Sequence, residues 1–480
     1  LQSCLFSPPI TEATVLPESA RLQRWQNITL ATLCTGYAGY YICRSDFSII
    51  SPLLLREYGP SGLTKQQIGD VNSIGVFLYA IGKLINGIAT EYMGGKRIFL
   101  FGMFASVTCT LLLAISPLFA PAFAVAAKWL NLPVAIVIPF MLLWAANRFF
   151  QSMGWGGLVQ IASRWFAHNH LATAMSILTM SYLLGDALAR LYLGAMVKAG
   201  LDWQGVLLVA AATLGLIGVI GLYSLKNRPA DIGLPEPPPP PGNVFGDDRG
   251  DEKISLLKLL LPLLSSFTFW IVCLMNVGLT LIRETFGLWN PTYLAEVVKL
   301  DLGTAGMASL IFPLVGTVSA LVAGWLVDRA GGRFGPVVIP SLTALVAALG
   351  LLAWLKPVEG QVWLALLLIG AVAFFLIAPY TFCSGVMAVK FGGQRAGATA
   401  AGIIDLAGYL GATLAGSGIG RIVDKHGWSA AFGTLAGIAA ITLLVSVVYW
   451  IMESRQLRIA SQRTSDPKSP EIDSELTSES

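Results

Sequence analysis

Apolar stretches of about 20 residues recur along almost the whole chain, and nothing limits its fold more than they do. A stretch of that length crosses a hydrocarbon core as a helix, because in lipid each backbone amide must be satisfied within its own segment. Such helices are expected near 28–52, 68–90, 98–117, 133–163, 170–197 and 204–225, and again near 263–293, 303–328, 335–355, 361–390, 396–422 and 429–452. Charged residues are 12% of the 480, about half the share usual in soluble domains, and 50 glycines allow close helix packing in lipid. The expected fold class is therefore an all-α membrane protein of twelve transmembrane helices.

The one long polar break, 226–262, holds five consecutive prolines (237–241) followed by a charged run. Proline runs are stiff and extended, so this segment reads as a linker between six-helix bundles at 27–225 and 263–454. The tail at 455–480 is rich in Ser, Asp and Glu and reads as disordered. Residues 1–26 lack the basic-then-apolar pattern of a signal peptide and read as a cytoplasmic segment. The chain opens on Leu1, as with a non-standard start codon or a missing end. Lys and Arg gather in alternate connections, at Lys96-Arg97, Arg164, Lys226, Arg228, Arg329, Arg333, Lys390 and Arg395. By the positive-inside rule both termini face the cytoplasm, most simply across a bacterial inner membrane.

The halves repeat. Arg44-Ser-Asp-Phe47 followed by Pro52 matches Arg283-Glu-Thr-Phe286 followed by Pro291. Gly87-x-x-x-Glu91-x-x-Gly94-Gly95-Lys96 matches Gly324-x-x-x-Asp328-Arg329-x-Gly331-Gly332-Arg333. Ala172-Thr-Ala-Met-Ser-Ile177 matches Ala398-Thr-Ala-Ala-Gly-Ile403. Three matches in one order imply two pseudo-symmetric bundles with substrate bound between them near midplane. The second pair is similar to the loop signature of the major facilitator superfamily, complete in the second copy and departing at Tyr92 in the first. A carboxylate there can face a helix N-terminus and an arginine, gating the inner side.

A charge within a transmembrane helix costs at least ~2.5 kcal/mol on insertion scales, which makes each one a functional candidate. Arg44, Asp46, Lys83, Arg148, Asp186, Arg190, Arg283, Glu284 and Asp405 all qualify. The repeat puts Arg44 and Arg283 at the interface between halves, where two guanidinium forks suit a phosphate or carboxylate. The plainer alternative is a structural ion pair with a neighbouring helix. Lys83 adds a point charge. Asp186 and Arg190, four apart, read as an intrahelical pair. Glu284 reads as a counter-ion. Asp405 has no local partner and is open to a proton site or a structural hydrogen bond. The six cysteines read as small core residues. No phosphate loop, dinucleotide fingerprint, catalytic triad or metal-ligand spacing is visible, so no enzyme, metal, cofactor or nucleic-acid partner is expected.

Several helices resemble, over residues 28–452, the organophosphate:phosphate antiporters, relatives of glycerol-3-phosphate and hexose-phosphate transporters. These are Gly36-Tyr-Ala-Gly-Tyr-Tyr41-Ile-Cys-Arg44-Ser-Asp-Phe47, Tyr79-Ala-Ile-Gly-Lys83, Phe150-Gln-Ser-Met-Gly-Trp155, Arg283-Glu-Thr-Phe-Gly-Leu-Trp289-Asn-Pro-Thr-Tyr-Leu294 and Gly408-Tyr-Leu-Gly411. The resemblance implies a phosphate clamp of Arg44 and Arg283 with Lys83 beside it and Tyr41 nearby. Tyr182 falls where glycerol-3-phosphate members carry histidine. It also implies a monomer in lipid that exchanges a small organic phosphate anion for inorganic phosphate by alternating access. On that mechanism both arginines are expected to be unpaired in the empty site, resisting closure until an anion binds. Gly156-Gly157, Arg148 and Asp405 depart from the family pattern. Arg148-x-x-Gln151-x-x-Gly154 resembles a motif of proton-coupled facilitators. Two further readings stay open: proton-coupled organic-anion symport, with Asp405 or Glu284 carrying the proton, and a membrane sugar-phosphate sensor.

Overall fold

The computed structural model describes residues 18–166, 168–235, 261, 263–329, 335–355, 357 and 359–464, nearly all of them helical. The first half holds α1 (Glu18–Tyr58), α2 (Lys65–Met93), α3 (Gly95–Ala114), a short α4 (Ala124–Trp129), α5 (Val137–Gln151), α6 (Met153–Trp165), α7 (His168–Lys198) and α8 (Trp203–Ser224). The second holds α9 (Phe267–Glu296), α10 (Leu302–Ala308), α11 (Ile311–Arg329), α12 (Gly335–Leu355), α13 (Val362–Thr381), α14 (Ala388–Ala412) and α15 (Leu414–Thr464). Gly427, at φ 79°, turns the chain inside α15, where a break is expected between 422 and 429. The proline run at 237–241 lies outside the described residues.

Among the described residues, seven helical stretches are long and apolar enough to cross a membrane. α1, α2 and α7 are not among them, and they hold Arg44, Asp46, Lys83, Asp186 and Arg190.

The helix limits depart from expectation in five places. α1 begins at Glu18, inside the segment expected to precede the membrane, and α15 reaches Thr464, inside the tail expected to be disordered. Both extensions are polar sequences with good helix propensity and no proline, so the helix outruns the lipid-length stretch. The helix expected over 133–163 divides at Ser152 into α5 and α6. The one over 303–328 divides into α10 and α11. Pro313 has no N–H for the Ser309 carbonyl, which Phe312 N and Asn290 Nδ2 reach instead, each at 3.4 Å. The connection expected between 390 and 396 carries helical backbone. α13 passes through a π turn at Phe382–Met387 into α14, and the discontinuity falls at Thr413. Gly392 and Gly393 do not interrupt it, in keeping with the frequency of glycine in membrane helices.

Within the first half α1 packs on α7 and α8, α2 on α5, and α3 on α5, α6 and α8. Within the second, α9 packs on α14 and α15, and α13 on α11 and α12. Two seams join the halves: α2 against α14 and α15, and α7 against α10 and α11. Each element of one seam is the repeat partner of an element of the other, as a duplication requires. α1 and α9 meet between them.

Both seams are closest at the end where α1 passes into α2. A Cβ on Gly69 would lie 2.3 Å from the Gly416 carbonyl oxygen, and one on Gly194 would lie 2.5 Å from the Met307 nitrogen. Small residues here let the backbones touch. Ser73 Oγ donates to the Thr413 carbonyl and accepts from Ser417 N at 3.0 Å. Lys65 pairs with Glu296 at 3.1 Å, and the Asp424 carboxylate accepts from Gln66 N at 2.7 Å, where the α2 dipole favours an anion. The two halves are therefore sealed at this end.

Candidate functional site

Below the seal the halves part around a cleft whose lining includes Tyr41, Arg44, Arg148, Tyr182, Asp186, Arg190, Arg283, Glu284 and Tyr380. α1 supplies Arg44 and α9 supplies Arg283, so the repeat-related arginines come to one cavity from opposite halves.

Arg44 sits among aromatic rings. Its guanidinium carbon is 4.6 Å from the Tyr79 ring centroid and 5.1 Å from that of Tyr41, which itself stacks on Tyr182 at 5.8 Å. Such contacts hold the charge by the ring faces, and the guanidinium also donates a hydrogen bond to the Tyr79 hydroxyl. Among the described residues Arg44 has no carboxylate within ion-pair distance. Arg283 differs, correcting the expectation that both arginines are unpaired. Its Nη2 donates to Glu284 Oε1 and, at 2.9 Å, to the Tyr409 hydroxyl, and its guanidinium sits 4.7 Å from the Tyr380 ring centroid. The reason is local: Glu284 is next in sequence, and its carboxylate reaches the Arg283 guanidinium.

Arg148 comes from α5 and is 3% exposed. Its Nη2 lies 3.9 Å from Glu284 Oε2, and its guanidinium 4.7 Å from the Tyr79 ring centroid. Lys83 is paired as well, with Nζ 2.9 Å from Asp405 Oδ2 across the α2–α14 seam. Asp405 thus has the partner that its own helix lacks. Neither Lys83 nor Asp405 lines the cleft itself. Asp186 and Arg190 pair along α7 at 3.1 Å, as expected, and Arg190 also reaches across to the Gly287 carbonyl at 2.8 Å. Asp46 is fully buried and lies outside the cleft lining, where one oxygen accepts from Phe47 N at 2.6 Å.

In the lining, four arginines (44, 148, 190 and 283) face two carboxylates (186 and 284), an excess of two positive charges. The Lys83–Asp405 pair beside them leaves that excess unchanged. A cavity with two uncompensated guanidinium charges and low polarity around them favours a doubly charged anion.

Sequence reasoning did not single out Tyr79, Tyr380 or Tyr409 as site residues. Tyr79 lies four before Lys83 and Tyr409 four after Asp405, and their rings meet across the halves at 5.1 Å. That four-residue spacing placed each ring on the same helix face as its neighbouring charge.

Of the expected gate, Gly94 takes φ 82° and Lys96 is tied within its own half, Nζ to the Leu222 carbonyl at 2.8 Å. Arg329 stacks on Trp325 at 3.9 Å. Gly87, Glu91, Gly324, Asp328, Gly331 and Arg333 lie outside the residues whose surroundings are described.

Residues 29–416 match the family model described as Major Facilitator Superfamily. The chain is 25% identical over 448 residues to a protein named probable hexose phosphate transport protein from Chlamydia pneumoniae, spanning 90% of this chain and 93% of that one. It is 27% identical over 446 residues to membrane sensor protein UhpC of Salmonella typhimurium, spanning 88% and 92%. It is 25% identical over 465 residues to the hexose-6-phosphate:phosphate antiporter of Escherichia coli, spanning 92% and 95%.

Proposed function

We propose, starting from the chain's membership of the major facilitator superfamily, that it is a secondary transporter exchanging an organic phosphate anion for inorganic phosphate by alternating access. The observation that carries this reading is the pair of uncompensated positive charges in a cleft between the halves. A phosphate dianion matches that excess, and its tetrahedral oxygens suit guanidinium forks offered from two sides. The relatives named for hexose phosphate transport support the substrate class, and the one named a hexose-6-phosphate:phosphate antiporter supports exchange. Arg44 and Arg283 bind the phosphate group, with Tyr41, Tyr79, Tyr182 and Tyr409 framing them. Lys83 and Asp405 tie the seam beside the site. The substrate leaves chemically unchanged. The protein acts as a monomer in a bacterial inner membrane, with both termini cytoplasmic and the sealed end of the seams facing out.

A second reading is proton-coupled symport of an organic anion, favoured by Glu284 in the cleft and Asp405 beside it. The relationship to a protein named a membrane sensor supports a third, in which binding is reported and little is carried.

Phosphate exchange by Arg44→Lys and Arg283→Lys tests the first reading. Lysine keeps the charge but loses the planar fork, so each variant should exchange at least about tenfold more slowly. Wild-type rates in either variant would remove that arginine from the clamp.

A further inference from the structure

We infer that Glu284 is a built-in anion, which occupies the clamp in the empty carrier and gives way to the incoming phosphate group. The inference rests on the phosphate reading above and adds a residue that sets affinity and the strictness of exchange.

Glu284 presents its two carboxylate oxygens to two different halves of the protein. Oε1 meets Arg283 of the second half, while Oε2 faces Arg148 of the first at 3.9 Å. One carboxylate thus spans the two halves at the place where a substrate anion would have to do so. The bridge is incomplete. A separation of 3.9 Å is too long for a hydrogen bond, so Arg148 is served by charge alone on that side. Among the described residues the Nε atoms of Arg148 and Arg283 are both buried without a hydrogen-bond partner. A tetrahedral phosphate offers more acceptor oxygens than a carboxylate and is not tethered to α9. It can use the donors that Glu284 leaves idle and extend to Arg44, which has no carboxylate partner among the described residues.

Two consequences follow. Glu284 competes with the substrate, so it weakens binding. It also leaves the empty cleft with an excess of two positive charges rather than three, and links the halves without substrate. The empty carrier can then reorient slowly, which appears as net efflux without exchange. A residue that merely holds Arg283 in position would act in the opposite sense, strengthening substrate binding.

The test uses the purified full-length chain, with inorganic phosphate as the probe. Binding is measured by calorimetry, and phosphate efflux from proteoliposomes is followed into medium with and without phosphate. Glu284→Gln should bind phosphate about tenfold more tightly and raise the ratio of exchange to net efflux. Glu284→Asp, which retains the charge but withdraws it from Arg148, should fall between the two and keeps the question answerable if Glu284→Gln folds poorly. Unchanged or weaker binding in either variant, in protein that still exchanges phosphate, overturns the inference while leaving the proposed function standing. A wild-type chain that neither binds nor exchanges phosphate overturns the function, and this inference with it.

Discussion

Replacing Gly69 by alanine should open the sealed end of the seams. The new Cβ would lie 2.3 Å from the Gly416 carbonyl oxygen, 2.4 Å from its carbon and 2.8 Å from Ser417 N. Ordinary contact needs about 1 Å more, so α2 and α15 must separate along their whole crossing. Separation also strains the Ser73 bridge to Thr413 and Ser417 and the Asp424 cap on Gln66 N. Overpacking of this kind costs about 1–3 kcal/mol. The cost falls only on the sealed state, because the open state has no such contact, so the equilibrium between them should move about 5- to 150-fold. Spin labels at Ser61 and Lys425, both exposed at that end, report the separation as a distance distribution. The variant should populate a longer distance without any ligand. A folded Gly69→Ala protein with the wild-type distribution would refute the argument that backbone contact seals this end.

Two other variants probe the paired charges. Asp405→Asn strands Lys83 against the Tyr79 and Tyr409 rings. Both partners are about a quarter exposed, so the loss should be modest, about 1–2 kcal/mol, read as a lower Tm, and the Lys83→Asp/Asp405→Lys exchange should recover part of it. An Asp405→Asn protein melting with the wild type would mean that the pair does not hold the seam. Tyr409→Phe removes the 2.9 Å contact to Arg283 and should weaken phosphate binding by about three- to tenfold, checked by calorimetry, while an unchanged Kd would put the hydroxyl outside the clamp.

The residues that carry the architecture are local in sequence, and so they were readable. The Arg44/Phe47/Pro52 and Arg283/Phe286/Pro291 repeat placed two arginines from opposite halves at one interface, and they do line one cleft. The Asp186–Arg190 pair followed from a spacing of four along one helix. What could not be read depends on contacts between distant segments. Asp405 pairs with a lysine 322 residues away, and no pattern along α14 points to it. Glu284 was legible as a counter-ion to Arg283, yet its second oxygen faces Arg148 only because the fold brings these side chains of α5 and α9 into one cleft. Helix ends were misplaced for another reason: hydropathy marks where lipid begins, whereas the propensity of residues 18–27 and 455–464 carries the helix beyond it.

The central claim is that the cleft exchanges an organic phosphate for inorganic phosphate. Counterflow measures it most directly, in proteoliposomes holding the wild-type protein and loaded with phosphate. External labelled glycerol-3-phosphate, hexose phosphates, phosphoglycerate and simple carboxylates are offered in turn, with no pH gradient. At least one phosphate ester should accumulate, and only when phosphate is inside. Uptake that ignores internal phosphate and follows an imposed pH gradient would contradict the exchange account and favour symport, and binding without uptake would favour a sensor.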